Sequence, residues 1–122
     1  MTEAQFRKVA LSLKGVTEKP HFERTSFRVG TRIFATMTRD GSEAMVRVRP
    51  RDKLDALLHG SPEIFFSYGG WTDRFGSVGI RLRAARTDLV MQLIRDSFDD
   101  VASQPGKPAP RRKARPPRPK QG

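Results

Sequence analysis

Apolar positions in the first fifteen residues recur at Phe6, Val9, Ala10 and Leu13, the spacing of one helical face, with Thr2 and Gln5 placed as a capping box and Gly15 as a stop. The period then shortens. Residues 22–29 and 32–38 read as strands meeting at Gly30-Thr31, and Asp40-Gly41 turns the chain into a third strand over residues 43–49, a three-stranded meander. Pro50-Arg51-Asp52 opens a short helix with Leu54, Leu57 and Leu58 on one face, and Gly60 with Ser61-Pro62 ends it. Residues 64–68 and 77–83 are further strand candidates, separated by a loop with three glycines that carries Trp71. Thr87 is placed to cap a last helix whose stripe is Leu89, Val90, Leu93, Ile94, Phe98 and Val101.

Hairpin connections as short as these cannot be parallel crossovers, so the strands must form an antiparallel sheet. Helices with one apolar stripe and strands with alternating character predict an α+β fold: a two-layer sandwich of about five antiparallel strands with helices on one face. The other face then meets solvent or a partner.

Charge divides the chain. Of the 24 Lys and Arg, 17 lie in residues 1–103 with all 13 Asp and Glu, whereas residues 104–122 hold seven bases, six prolines and no acid. A segment with so little apolar surface cannot offset its ordering entropy, so residues 1–103 are expected to be the folded domain and residues 104–122 a disordered tail. In that tail Arg111, Arg112, Lys113, Arg115, Arg118 and Lys120 suit an electrostatic arm for phosphate backbones. Insertion into a membrane is not expected, since no Trp, Phe or Leu stands beside those charges. No run reaches a membrane span, the start lacks a signal-like pattern, and the absence of cysteine fits a reducing compartment, so the expected location is the cytoplasm.

Alternation also sorts side chains by face. With Phe27, Val29, Ile33, Ala35, Met37, Ala44, Val46, Val48, Val78, Ile80 and Leu82 turned inward, the outer face takes Arg24, Arg28, Arg32, Arg47, Arg49, Arg81 and Arg83, seven arginines and no acid. A planar guanidinium matches phosphate oxygens and stacks on bases, and Phe34, Tyr68 and Trp71 would add stacking surface if they lie near that face.

Catalytic chemistry finds little to use. His21-Phe22-Glu23 has the His-x-Glu of zinc deaminases without their cysteine ligands, and His59 falls at a helix end where the dipole favours a cation. No phosphate loop or nucleophile elbow occurs, so neither an enzyme, nor a metal, nor a cofactor is expected.

The segments 10–18, 27–29 and 32–35, the Leu57-Leu58 helix, Pro62-Glu63-Ile64-Phe65-Phe66, Gly70-Trp71 and the closing helix together resemble the MmcQ/YjbR family over about residues 3–102. The resemblance implies a small bacterial cytoplasmic α+β domain with a fold similar to the frataxin homologue CyaY and a double-wing DNA-binding motif, and it brings no catalytic residue. Two positions depart from the family pattern: Lys14 stands where Pro is usual and Thr72 where Gly is common. The functional expectation is therefore a non-enzymatic protein whose partner is nucleic acid, DNA first, held by the arginine face and the tail. The alternative is a protein-interaction or small-anion-binding module with an incidental tail.

Overall fold

The computed structural model describes residues 1–69 and 76–103. Trp71, expected to be a stacking surface or a plug at the edge of the core, and the basic tail, expected to contribute to binding, lie outside the described residues. The elements run α1 (Glu3–Ser12), β1 (Val16–His21), β2 (Arg24–Val29), β3 (Arg32–Thr38), β4 (Glu43–Arg47), α2 (Arg51–Gly60), β5 (Phe65–Phe66), β6 (Ser77–Arg81), a single 3-10 turn (Leu82–Ala84) and α3 (Thr87–Ala102). The strands form one antiparallel sheet in the order β1-β2-β3-β4-β6-β5, so the α+β expectation holds with one more strand than the pattern indicated.

The extra strand is β1. Its Glu18, Lys19 and Pro20 give no apolar alternation, and an edge position tolerates both the charges and the missing proline N–H. It returns into β2 through Phe22-Glu23, two residues between the paired His21 and Arg24. Phe22 takes φ 58, a left-handed value that glycine normally supplies.

The capping box at α1 is present: Gln5 N–H donates to Thr2 Oγ1 at 3.1 Å and Thr2 N–H to Gln5 Oε1 at 2.9 Å. At α3 the cap position belongs to Arg86, and Thr87 is already the first helical residue. Asp88 in that first turn faces the positive end of the helix dipole.

The core lies between the sheet and α1 and α3. Phe6 of α1 meets Phe27 of β2 at 5.8 Å between centroids, and Met37, Val46, Val78, Ile80, Leu93 and Ile94 are fully buried around them. Ion pairs tie the elements further: Arg7 bridges Glu3 and Glu18, joining α1 to β1, and Lys53 of α2 reaches Asp96 of α3 at 3.0 Å.

One irregularity decides what the outer face contains. Phe27 pairs with Ala35 but Arg28 pairs with Ile33, so β3 carries an extra residue, Phe34, at a bulge. Beyond a bulge the alternation is inverted. Ile33 therefore shares a face with Arg28, and Arg32 shares one with Val29, the reverse of the expected assignment. Phe34 itself is buried, its ring edge-on to Phe98 of α3 at 5.5 Å, and is not an outer stacking surface. The β3–β4 ladder stops at Ala35 and Val46, and Ser97 of α3 fills the break. Its hydroxyl accepts from Arg47 N–H at 3.0 Å and donates to Phe34 C=O at 2.6 Å.

Candidate functional site

The face away from α1 and α3 is built on a row that crosses all six strands through successive pairs: Lys19, Ser26, Thr36, Met45, Gly79 and Phe66. Its middle is low. Ser26 and Thr36 are buried although they sit on the outer side, because longer neighbours lie over them. Arg28 Nε donates to Ser26 Oγ at 2.9 Å, and Arg24 Nη1 donates to Thr36 Oγ1 at 3.3 Å.

Arg24 reaches further, donating through Nη2 to Tyr68 Oη at 2.9 Å with its guanidinium carbon 5.1 Å from the ring centroid. Tyr68 meets Phe66 at 5.0 Å, and the Arg81 guanidinium lies 4.5 Å over the Phe66 ring. Two adjacent aromatic rings thus lie between two cations, in the order Arg24, Tyr68, Phe66, Arg81. The arrangement depends on Gly79, where a Cβ would come within 2.5 Å of the Phe66 ring. Arg81 is further fixed by donation to Pro62 C=O at 3.3 Å.

Between this ladder and the β1–β2 hairpin lies a concavity of about 620 Å³. Ile33, Thr36, Met45, Tyr68 and Ser77 line it, Arg24 and Arg47 stand at its rim, and the hairpin residues His21, Phe22 and Glu23 border one end. Phe22 is 88% exposed, with the edge-on ring of His21 at 4.8 Å beside it.

Of the seven arginines expected on one face, Arg24, Arg28, Arg47 and Arg81 occupy outer positions of the strands. Arg32 is turned the other way by the bulge. Arg49 lies past the end of β4 and Arg83 in the 3-10 turn, because the strands stop earlier than alternation suggested. The face is also not free of acid, since Glu43 pairs opposite Arg81. From the helix layer, Asp100 of α3 comes within 3.5 Å of Arg47 Nε and 3.8 Å of Arg49 Nε. Neither Arg47 Nε nor Asp100 Oδ2 makes a hydrogen bond, so that ion pair is loose.

Arg83 instead adds to the field at Asp40, in the β3–β4 turn. The Ser42 backbone N–H and hydroxyl and the Thr38 hydroxyl all donate to Asp40 Oδ1, and with the more distant Arg83 charge they hold its carboxyl down to about 2.

Charge is nevertheless segregated by layer. The three α-helices carry five Lys and Arg against seven Asp and Glu. The six strands carry six Lys and Arg against two Glu. Among the described residues no group of three or more His, Asp or Glu is arranged to hold a metal ion. No helix among the described residues is long and apolar enough to cross a membrane.

Sequence reasoning missed Phe22, Ile33 and Phe66. For Phe66 a signal existed, since it stands two residues before Tyr68 and so on the same side of an extended chain. For Phe22 there was none, because nothing in His21-Phe22-Glu23 resembles a turn.

A family model, YjbR, matches residues 11–100. Among solved structures, the chain is similar to a Deinococcus radiodurans protein with the DUF419 domain, at a TM-score of 0.75 and 22% sequence identity, over 88% of this chain and 83% of that one. No curated protein matches the chain.

Proposed function

The chain belongs to the YjbR family, and we propose that it is a non-enzymatic nucleic-acid-binding protein whose outer sheet face contacts the strand. The observation that carries this reading is the ladder Arg24, Tyr68, Phe66, Arg81 on the layer that holds the excess of positive charge. Guanidinium groups held against rings and by hydrogen bonds lose little rotamer freedom when their remaining N–H donors meet phosphate oxygens. A face serving only solubility has no use for such fixing. Arg28, held by Ser26, extends the positive surface across β2. The basic tail, with Arg111, Arg112, Lys113, Arg115, Arg118 and Lys120, adds affinity that does not depend on sequence.

The test is binding of the full chain to labelled DNA across a series of salt concentrations, alongside the double variant Arg24→Gln, Arg81→Gln. Each lost phosphate contact removes about 0.7 to 0.9 from the slope of log K against log salt, so the variant should lose roughly 1.4 to 1.8. An unchanged slope and affinity in a folded variant would remove the sheet face from the reading.

A further inference from the structure

A strand of phosphates alone would be served by the arginines, yet beside them lies a concavity walled by Ile33 and Met45 and by the ring of Tyr68, with the hydroxyl-bearing Thr36 and Ser77 in its lining. Its volume, about 620 Å³, falls in the range of small-molecule sites. Apolar walls, a ring at the side, hydroxyls and a cation at the rim together suit a flat heterocycle joined to an anion. Bases inside a duplex keep both faces stacked and cannot enter without being extruded, whereas an unpaired base can.

Phe22 supplies the second observation. A bulky residue in the left-handed region is strained, and an aromatic ring 88% exposed contributes nothing to the core. It stands at the end of the concavity, where the ring can stack on the neighbouring base as the first one enters.

We propose that this concavity seats one unpaired nucleobase of a single strand, with its phosphate on Arg24 and the adjacent base against Phe22. The proposal rests on the nucleic-acid reading of the face and adds the form of the substrate. An isolated anion is a poorer fit, because it would leave the walls of Ile33, Met45 and Tyr68 unused.

The experiment compares three labelled ligands of equal length on the full chain at one salt concentration: a thymidine oligonucleotide, its abasic counterpart with the same phosphates, and a duplex. The thymidine strand should bind on the order of tenfold more tightly than the abasic strand for a seated base. In Phe22→Ala, a surface change that leaves the core untouched, that preference should shrink while the salt slope stays the same. In Tyr68→Ala the preference should shrink too, with affinity for all three ligands lowered as Arg24 loses its anchor. Equal binding of the thymidine and abasic strands, or tighter binding of the duplex, overturns the base site but leaves the phosphate-binding face standing. Absence of binding to all three ligands overturns both. Displacement of the oligonucleotide by equimolar thymidine monophosphate would overturn the assignment to a strand.

Discussion

Arg24 and Tyr68 hold each other across the sheet from β2 to the segment after β5: one guanidinium nitrogen donates to the phenol oxygen at 2.9 Å while the cation lies 5.1 Å from the ring centroid. The pair fixes an arginine that would otherwise sample many rotamers. Tyr68→Phe keeps the ring and removes the acceptor. A hydrogen bond to a charged group contributes about 1.5 to 3 kcal/mol when well buried, and less at this half-exposed site. The expected outcome is DNA affinity lowered severalfold with a thermal midpoint close to that of the parent, read by anisotropy and calorimetry on the same samples. Unaltered affinity would show that Arg24 needs no such anchor.

Ser97→Ala would leave Arg47 N–H and Phe34 C=O without the hydroxyl that joins them. A buried group left unsatisfied costs about 1 to 3 kcal/mol, so we expect a loss of about 2 kcal/mol in denaturant unfolding, with the bulge at Phe34 more mobile by hydrogen exchange. A loss under about 0.5 kcal/mol would mean that the strands close on each other when the serine is gone.

Ser97 also shows why the inner and outer faces were only partly legible. It falls on the buried stripe of α3 between Ile94 and Val101, but a polar residue there carries no sign that its partner is a break in a sheet. The bulge beside that break moves Ile33 outward and Arg32 inward, and nothing local in Arg32-Ile33-Phe34 signals an extra residue, since each of the three would suit a regular strand. Helices with a strong stripe and a cap, such as α1, were readable because their signals are local. Arg24 and Arg28 were placed correctly for the same reason, lying on β2, where the alternation is unbroken. The ladder with Tyr68 and Phe66 joins residues more than forty positions apart, and only the fold brings them together.

Asp100 competes with any phosphate for Arg47 and Arg49. Asp100→Asn should therefore raise DNA affinity severalfold at low salt, with the gain fading as salt screens the added charge. The stability cost should be about 1 kcal/mol or less, since a loose, partly exposed pair contributes little. Weaker binding in this variant would mean that the carboxylate positions the two arginines instead of withholding them.

Asp40 sets one acid limit of the β3–β4 turn. Its carboxyl is held down to about 2 first by the Ser42 backbone N–H, then by the Ser42 and Thr38 hydroxyls. A group whose acidity is strengthened by folding stabilises the native state above its unfolded value of about 3.9. That contribution is lost as pH falls toward 2. Carboxyl titration followed by NMR should place Asp40 well below the ordinary aspartate value, and Ser42→Ala should move it upward. A midpoint near the ordinary aspartate value in the parent protein would exclude the three-donor turn.

Phe66 has no face left to offer. Gly79 lies against its ring so closely that no Cβ fits, and the guanidinium of Arg81 covers the ring at 4.5 Å. A base has nowhere to stack on it, so its part is that of a spacer, setting how high above the backbone the Arg81 charge is carried. The height is fixed by the absence of a side chain at position 79. Even a methyl group there would tilt the ring, and the positive charge at that end of the ladder would shift with it, although neither glycine nor phenylalanine bears any charge of its own.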